Sequence, residues 1–325
     1  MKSELPEETE QPPSNHQLLF RVTPHIKKLA KKSAAVRAEF FPSPKEAKVS
    51  EASFSDPLNE DRFIKVKGLV HKYPQRVLIE LTMNCAAYCR FCTRRRKVSD
   101  LKKGQLTPKD LSVIAGYLSA HPEINEIVIS GGDPLTAPEL LKELLKKCQK
   151  IKSLKIIRIH TRIPVSNPKL VTPGLIKILN SIKGKPLYLS IHFEHPDELT
   201  PETIAAVNKI RKTGAILLSQ SVFLKGINDS FETLKELFIR LTELGVRPYY
   251  LYRCDPVAGA EHFRVPFERE IEIMTKLRVN LSGISCPLYA LDAPTGSGKI
   301  PVPLNFWQFD KKTLTDFNGK KIKIQ

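Results

Sequence analysis

The sequence predicts an α/β fold: an open, six-stranded partial (β/α)6 barrel of TIM type, its parallel strands covered by helices. Three observations lead there. From Arg76 onward, short apolar β-rich runs alternate with helical stretches. The runs are close to continuously apolar, as in strands covered on their faces by crossover helices. Nearly every run also ends in polar residues, as expected where a parallel sheet builds one mouth at its C-terminal strand ends.

The six runs are VLIELT (77–82), EIVIS (126–130), KIIRIH (155–160), LYLSIH (187–192), AILLSQS (215–221) and YYLY (249–252). Six are too few for a closed eight-stranded barrel but enough for an open one. The helices between them carry start and stop signals. TPKDLSVIAGYLSA opens with Thr107 and Pro108, and TAPELLKELLKKCQ opens at Thr136. TPETIAAVNKIRKTG runs from Thr200 to a Gly214 stop, and SFETLKELFIRLTELG from Ser230 to Gly245. Ahead of the barrel, TPHIKKLAKKSAAVRAEFF reads as one helix with Thr23 as cap and Pro24 in its first position. PSPKEAKVSEASFSDP, which follows, is linker-like. The expected division is a helical arm and linker over 1–56, the barrel over 57–268 and a C-terminal segment over 269–325.

A chain of 325 residues can bury a full core. Its formal charge of +18 suits anionic ligands or polyanionic partners, but the basic residues are dispersed and read equally as solvated helix faces. No apolar run of about 18 residues is present to cross a membrane. The start MKSELPEETEQPPSNHQ lacks the apolar core of a secretory signal, so a cytoplasmic protein is expected. Of six cysteines, Cys148, Cys254 and Cys286 are scattered, while Cys85, Cys89 and Cys92 fall within eight residues. In a cytoplasmic chain such a cluster points to a metal or redox site rather than to disulfides.

The cluster lies in MNCAAYCRFCTRRRKV, directly after the first strand. Its x3, x2 spacing is not that of a structural zinc site, which closes with four ligands. Iron–sulfur clusters also usually take four thiolates. Three thiolates in one loop hold three irons of a cubane and leave the fourth open to a ligand. SGGDP (130–134) follows the second strand. Gly131 and Gly132 let backbone amides approach a ligand there, and Asp133 is placed to take a positive amino group. Taken alone, the same residues make an ordinary turn. LDAPTGSGKIPVP (291–303) sets Lys299 in a Gly/Ser loop, where it can form a Schiff base, bind phosphate or simply sit on a flexible surface. Asp255 and Asp292, near these loops, read singly as caps or turn residues.

Together, YCRFCTRRR, SGGDPL, QSVFLKGIND and DAPTGSGKIPV resemble the lysine 2,3-aminomutase family of radical S-adenosylmethionine enzymes, over about Pro57 to Pro303. The resemblance implies a [4Fe-4S] cluster, S-adenosylmethionine and pyridoxal 5'-phosphate. By match to the family's motifs, Cys85, Cys89 and Cys92 ligate the cluster and Lys299 carries the pyridoxal. Arg94 pairs with the substrate carboxylate, and Asp255 and Asp292 hold its distal ammonium. His192 and Gln220 lie near the S-adenosylmethionine, and KYPQR places Lys72, Tyr73 and Arg76 near the cofactor phosphate. The implied reaction interconverts L-lysine and β-lysine by 2,3-migration of the amino group, with an electron donor such as flavodoxin or ferredoxin. Three positions depart from the family's pattern: PTGSGK is not an all-glycine run, Ser219 stands where Asn is usual, and Phe91 where His is common. The chain also lacks the C-terminal extension of larger members. RIHTR resembles a relative that makes (R)-β-lysine for elongation factor P. The alternatives are that reaction, an aminomutase acting on another amino acid, and a radical enzyme modifying RNA. The last predicts an appended nucleic-acid module, and none is visible.

Overall fold

Alternation along each strand sets the architecture. In the computed structural model, which describes residues 18–98, 104–293, 296, 298–304, 307–308, 313–315 and 320–323, one ten-stranded sheet runs in chain order. Its strands are β1 (Ile64–Val66), β2 (Leu69–Tyr73), β3 (Arg76–Thr82), β4 (Glu126–Gly131), β5 (Ile156–Thr161), β6 (Leu187–His192), β7 (Ile216–Val222), β8 (Arg247–Tyr252), β9 (Leu288–Asp292) and β10 (Lys299–Pro301). Neighbours from β3 to β9 are parallel, and β1–β2, β2–β3 and β9–β10 are antiparallel. β1 and β10 do not pair, so the sheet stays open. All six expected strands form. The seventh parallel strand, β9, was not expected.

Nine helices accompany the sheet among the described residues: α1 (Pro24–Leu29), α2 (Ala34–Phe40), α3 (Pro108–Ala120), α4 (Pro138–Gln149), α5 (Ile163–Ser166), α6 (Pro173–Asn180), α7 (Pro201–Arg211), α8 (Phe231–Glu243) and α9 (Phe267–Asn280). In β5, Ile157 and Ile159 pack outward into the helix layer, while Arg158 and His160 turn inward to line a cavity. The outward residues of β3, β4 and β6 (Val77, Ile79, Leu81, Ile127, Ile129, Leu189, Ile191) join leucines and isoleucines of α3, α4, α6, α7, α8 and α9 in one core. Each such fully buried aliphatic side chain contributes about 1.5–3 kcal/mol. The hydrophobic effect thus holds the helices to the outside and leaves the inner face free for polar residues.

Two expected helix boundaries differ. The helix over 23–41 is two helices, because the Ser33 hydroxyl accepts from Val36 N and starts α2 anew. Thr136 does not cap α4; its hydroxyl donates to the Asn84 and Asp133 carbonyls, and the helix begins two residues later. The linker-like stretch is also pinned down. Ser43 and Glu46 close a capping box around Pro44–Ala47, and Phe54 bridges to Val257. The expected boundary after residue 268 falls inside α9, and β9 and β10 beyond it belong to the main sheet. Farther on, Trp307–Gln308, Thr313–Thr315 and Lys321–Lys323 form a small antiparallel sheet. No helix among the described residues is long and apolar enough to cross a membrane.

Candidate active site

A cavity of about 310 Å³ opens at the C-terminal strand ends, and all fifteen residues expected at the site line it. They arrive from seven strands and three loops. The cavity has two ends of different character.

At one end lies the cysteine loop. Cys85, Cys89 and Cys92 face the cavity as free thiols. Burial pushes all three thiols up, Cys89 to about 12, and each of Cys85 and Cys89 is raised further by its neighbours in the triad. The sulfurs therefore sit close enough to feel one another's charge. No three His, Cys, Asp or Glu among the described residues could hold a single metal ion. Arg162 Nη1 lies 2.8 Å from Cys89 Sγ.

The loop is walled by the N-terminal residues. Arg90 donates to the Leu18 and Leu19 carbonyls and, with Arg95, to the buried Glu46 carboxylate. The remaining bases of TRRRK are paired as well. Arg96 meets Asp56 and Asp61, and Lys97 meets Glu80 and Asp61. The basic run is thus an internal ion-pair network.

SGGDP packs against this loop. Its role differs from the expected one. The Gly132 and Asp133 amides donate to the Thr82 and Asn84 carbonyls, not toward the cavity. A Cβ on Gly131 would stand 2.4 Å from Thr82 O, and one on Gly132 2.5 Å from Asn84 O, so backbone crowding requires both glycines. The Asp133 carboxylate is saturated: it accepts from Thr161 Oγ1 and from the amides of Arg162 and Leu135. Burial raises its pKa to about 6. Its geometry is that of a structural cap rather than a free acceptor for an amino group.

His192 and Gln220 are cross-strand partners on β6 and β7, and both face the cavity. His192 Nδ1 lies 2.9 Å from Glu194 Oε1, which fixes the ring. Arg94 is more committed than expected. Its Nε and Nη2 grip the two oxygens of Glu60 at 2.9 and 2.5 Å, and Nη1 approaches Ser130 at 3.5 Å. Only its Nη1 side remains for a carboxylate ligand.

At the other end, Lys299 Nζ sits 2.7 Å from Asp292 Oδ2 and 4.4 Å from the centre of the Tyr252 ring. β9 and β10 pair Lys299 directly with Asp292, which accounts for the contact. Asp255 has no ion-pair partner among the described residues. Burial, then the charge of Asp292, lifts its pKa to about 7. Lys299 N donates to the Tyr73 hydroxyl, and Arg76 stacks 4.2 Å over the Tyr73 ring. Burial lowers the pKa of Lys72, whose Nζ donates to Leu58 O. Arg76 has no carboxylate partner among the described residues. This corner therefore offers a lysine amine, an aromatic wall and two cations, the donor set a pyridoxal phosphate requires.

Among the further polar residues that line the cavity are Glu60, Tyr252, His160 and Arg162, to none of which the sequence gave a role. His160 and Arg162 close β5 in RIHTR, so their strand-end position was a usable signal. Glu60 gave none, because its partner Arg94 is 34 residues away.

A model of the radical S-adenosylmethionine superfamily matches residues 79–247. The chain is 38% identical over 288 residues to L-lysine 2,3-aminomutase of Clostridium subterminale, covering 87% of this chain and 68% of that protein. It is 38% identical to the Methanococcus maripaludis enzyme of the same name, covering 85% and 64%, and 39% identical to that of Bacillus subtilis, covering 87% and 60%. The chain thus spans about two thirds of the length of these relatives. In fold it resembles a radical S-adenosylmethionine methyltransferase from Sphaerobacter thermophilus, with a TM-score of 0.51 at 20% identity over 71% of each chain. With this cavity, sheet and sequence, the chain belongs to the radical S-adenosylmethionine superfamily and, within it, to the lysine 2,3-aminomutase family.

Proposed function

We propose that the protein is an aminomutase that moves the α-amino group of L-lysine to the β-carbon. The observation that carries the substrate reading is the carboxylate pair Asp255 and Asp292. A desolvated pair of carboxylates selects a cation, and Asp292 already accepts one from the lysine ammonium of Lys299.

When bound, the cluster with S-adenosylmethionine supplies a carbon-centred radical and pyridoxal phosphate supplies an electron sink for the amino group. This chain's residues do the rest. Cys85, Cys89 and Cys92 anchor the cluster. His192 and Gln220 border the S-adenosylmethionine, with Gly131, Gly132 and Asp133 shaping the wall beside it. Lys72, Tyr73 and Arg76 hold the phosphate end of the cofactor and Lys299 its aldehyde end. The Nη1 side of Arg94 meets the substrate carboxylate while Glu60 fixes its plane. Asp255 and Asp292 hold the distal ammonium. Fixing the substrate at both ends sets the β-carbon before hydrogen is removed. The chain after α9 then completes the barrel sheet with β9 and β10, which bring Asp292 and Lys299 to the cofactor. The electron donor is a low-potential carrier such as flavodoxin or ferredoxin, in the cytoplasm.

Anaerobic protein with S-adenosylmethionine, pyridoxal phosphate, dithionite and 13C-labelled lysine should give β-lysine by NMR. Turnover of another amino acid with none of lysine would overturn the substrate, and chiral analysis of the product separates the (R) from the (S) form. The paired state of TRRRK argues against RNA as substrate. A salt-sensitive RNA complex would reverse that argument.

A further inference from the structure

We propose that Arg162 is a positioning residue that sets the reduction potential of the cluster, by donating an N–H to the sulfur of Cys89. The inference rests on the reading that the cysteine triad holds that cluster.

Three observations carry it. Arg162 Nη1 lies 2.8 Å from Cys89 Sγ, across 73 residues of sequence. Its other terminal nitrogen, Nη2, is held by two carboxylates, Glu39 of α2 and Glu198, the latter at 2.5 Å. Both carboxylates are fully buried. The guanidinium is also bracketed by rings, with its carbon 4.5 Å from the Phe40 centroid and 5.4 Å from that of Phe91. Its backbone amide donates to the saturated Asp133. Both terminal nitrogens of the guanidinium are thus engaged, Nη2 by the two acids and Nη1 by sulfur, while Nε has no hydrogen-bond partner among the described residues.

This is more than packing requires. Burying a cation with two acids is costly, the more so because Arg162 Nε and Glu39 Oε1 are left without hydrogen-bond partners among the described residues, and an apolar residue would fill the space at less cost. The arrangement instead delivers one oriented donor to one thiolate. Hydrogen bonds to cluster sulfurs are among the determinants of iron–sulfur potentials. A reduced cluster carries one more electron, and a donor on its ligand stabilises that state. One electron enters from an external donor, and no bond forms or breaks. Arg162 thus makes the cluster easier to reduce. Glu39 brings the N-terminal arm into the same network.

The test is a redox titration of the cluster in Arg162→Lys and Arg162→Gln, followed by EPR with dithionite. Lysine keeps the charge but cannot serve Cys89, Glu39 and Glu198 together, and glutamine removes the charge. The expected result is a more negative midpoint in both, larger for glutamine. In the lysine variant the reduced-to-oxidised ratio at fixed potential should fall about tenfold, which for one electron is about 59 mV. A midpoint equal to wild type, with normal iron content, would overturn the proposal. So would a variant that loses iron or melts lower while its remaining cluster keeps the wild-type midpoint, since that is what a purely structural role predicts. A second measurement needs no variant. Wild-type protein labelled with 15N-guanidino arginine should show a weak 15N coupling to the reduced cluster, and no coupling would equally count against the assignment. Wild-type protein that binds no iron would instead refute the cluster reading.

Discussion

The two ends of the cavity differ in how their charges are paired. At the cysteine end, the cations nearest the loop are locked: Arg90 and Arg95 on Glu46, Arg162 on Glu39 and Glu198, Arg94 on Glu60. Their carboxylate partners are all buried. At the lysine end, Asp255 and Arg76 have no ion-pair partner among the described residues, and the Asp292 carboxylate pairs with the end of the Lys299 side chain. One end is built to keep a permanent group in a fixed geometry. The other presents charges that a ligand can claim, and Lys299 occupies one of those places itself.

The largest expected effect breaks the permanent end. Cys85→Ala, Cys89→Ala or Cys92→Ala should each remove nearly all of the about four irons and four sulfides of a [4Fe-4S] cluster. Cys148, buried in the helix layer and not among the cavity-lining residues, serves as control, and Cys148→Ala should keep full iron content. Equal loss from both would refute the division.

The exchangeable end should respond in specificity rather than in assembly. Asp255→Asn or Asp292→Asn should lower kcat/KM for lysine roughly 10²-fold, since a charge-assisted hydrogen bond is worth about 1.5–3 kcal/mol. Iron content should not change. A variant with near-full lysine activity and a lower melting point would make these aspartates structural caps.

A smaller effect tests the wall between the ends. Gly132→Ala should destabilise the fold by about 1–3 kcal/mol, because its Cβ would meet backbone atoms of Met83 and Asn84 within 3 Å. Chemical denaturation reads this directly. An unchanged midpoint would mean that the two loops separate freely.

The smallest concerns pH. Asp255 keeps its proton in the folded, cofactor-free chain up to about pH 7, whereas in the unfolded chain it loses it near the ordinary value of about 4. Between those values the native state binds more protons, so stability falls as pH rises and levels off above 7. Asp133 and Glu270, raised to about 6 and about 7, slope the same way. The difference in Tm between wild type and Asp255→Asn should therefore move in favour of the variant from pH 4.5 to 7.5. A constant difference would show that Asp255 is already ionised.

What could be read from sequence follows the range of the interactions. Strands and capped helices rest on neighbours two to four residues apart, so periodicity gave all six expected strands. The cysteine and lysine motifs are local too. β9 was missed because LYALD is short and its burial depends on β8, far back in the chain. The break at Ser33 turned on a single hydroxyl competing with helix continuation. Glu60, Glu39 and Glu198 were invisible because each works through an arginine 34 to 123 residues away. At Asp133 the sequence leaves a turn and a ligand-binding loop both open, and the hydrogen bonds to its carboxylate show a side chain engaged as a cap.

The central claim is that Lys299 marks the exchangeable end, where the amine now resting on Asp292 passes to the cofactor. Borohydride treatment of the protein loaded with pyridoxal phosphate, followed by digestion and mass mapping, tests it most directly. The expected result is one pyridoxyl group per chain, on the peptide containing Lys299, with none after Lys299→Met. A stoichiometric label on Lys72 or on any lysine outside the cavity would contradict the account.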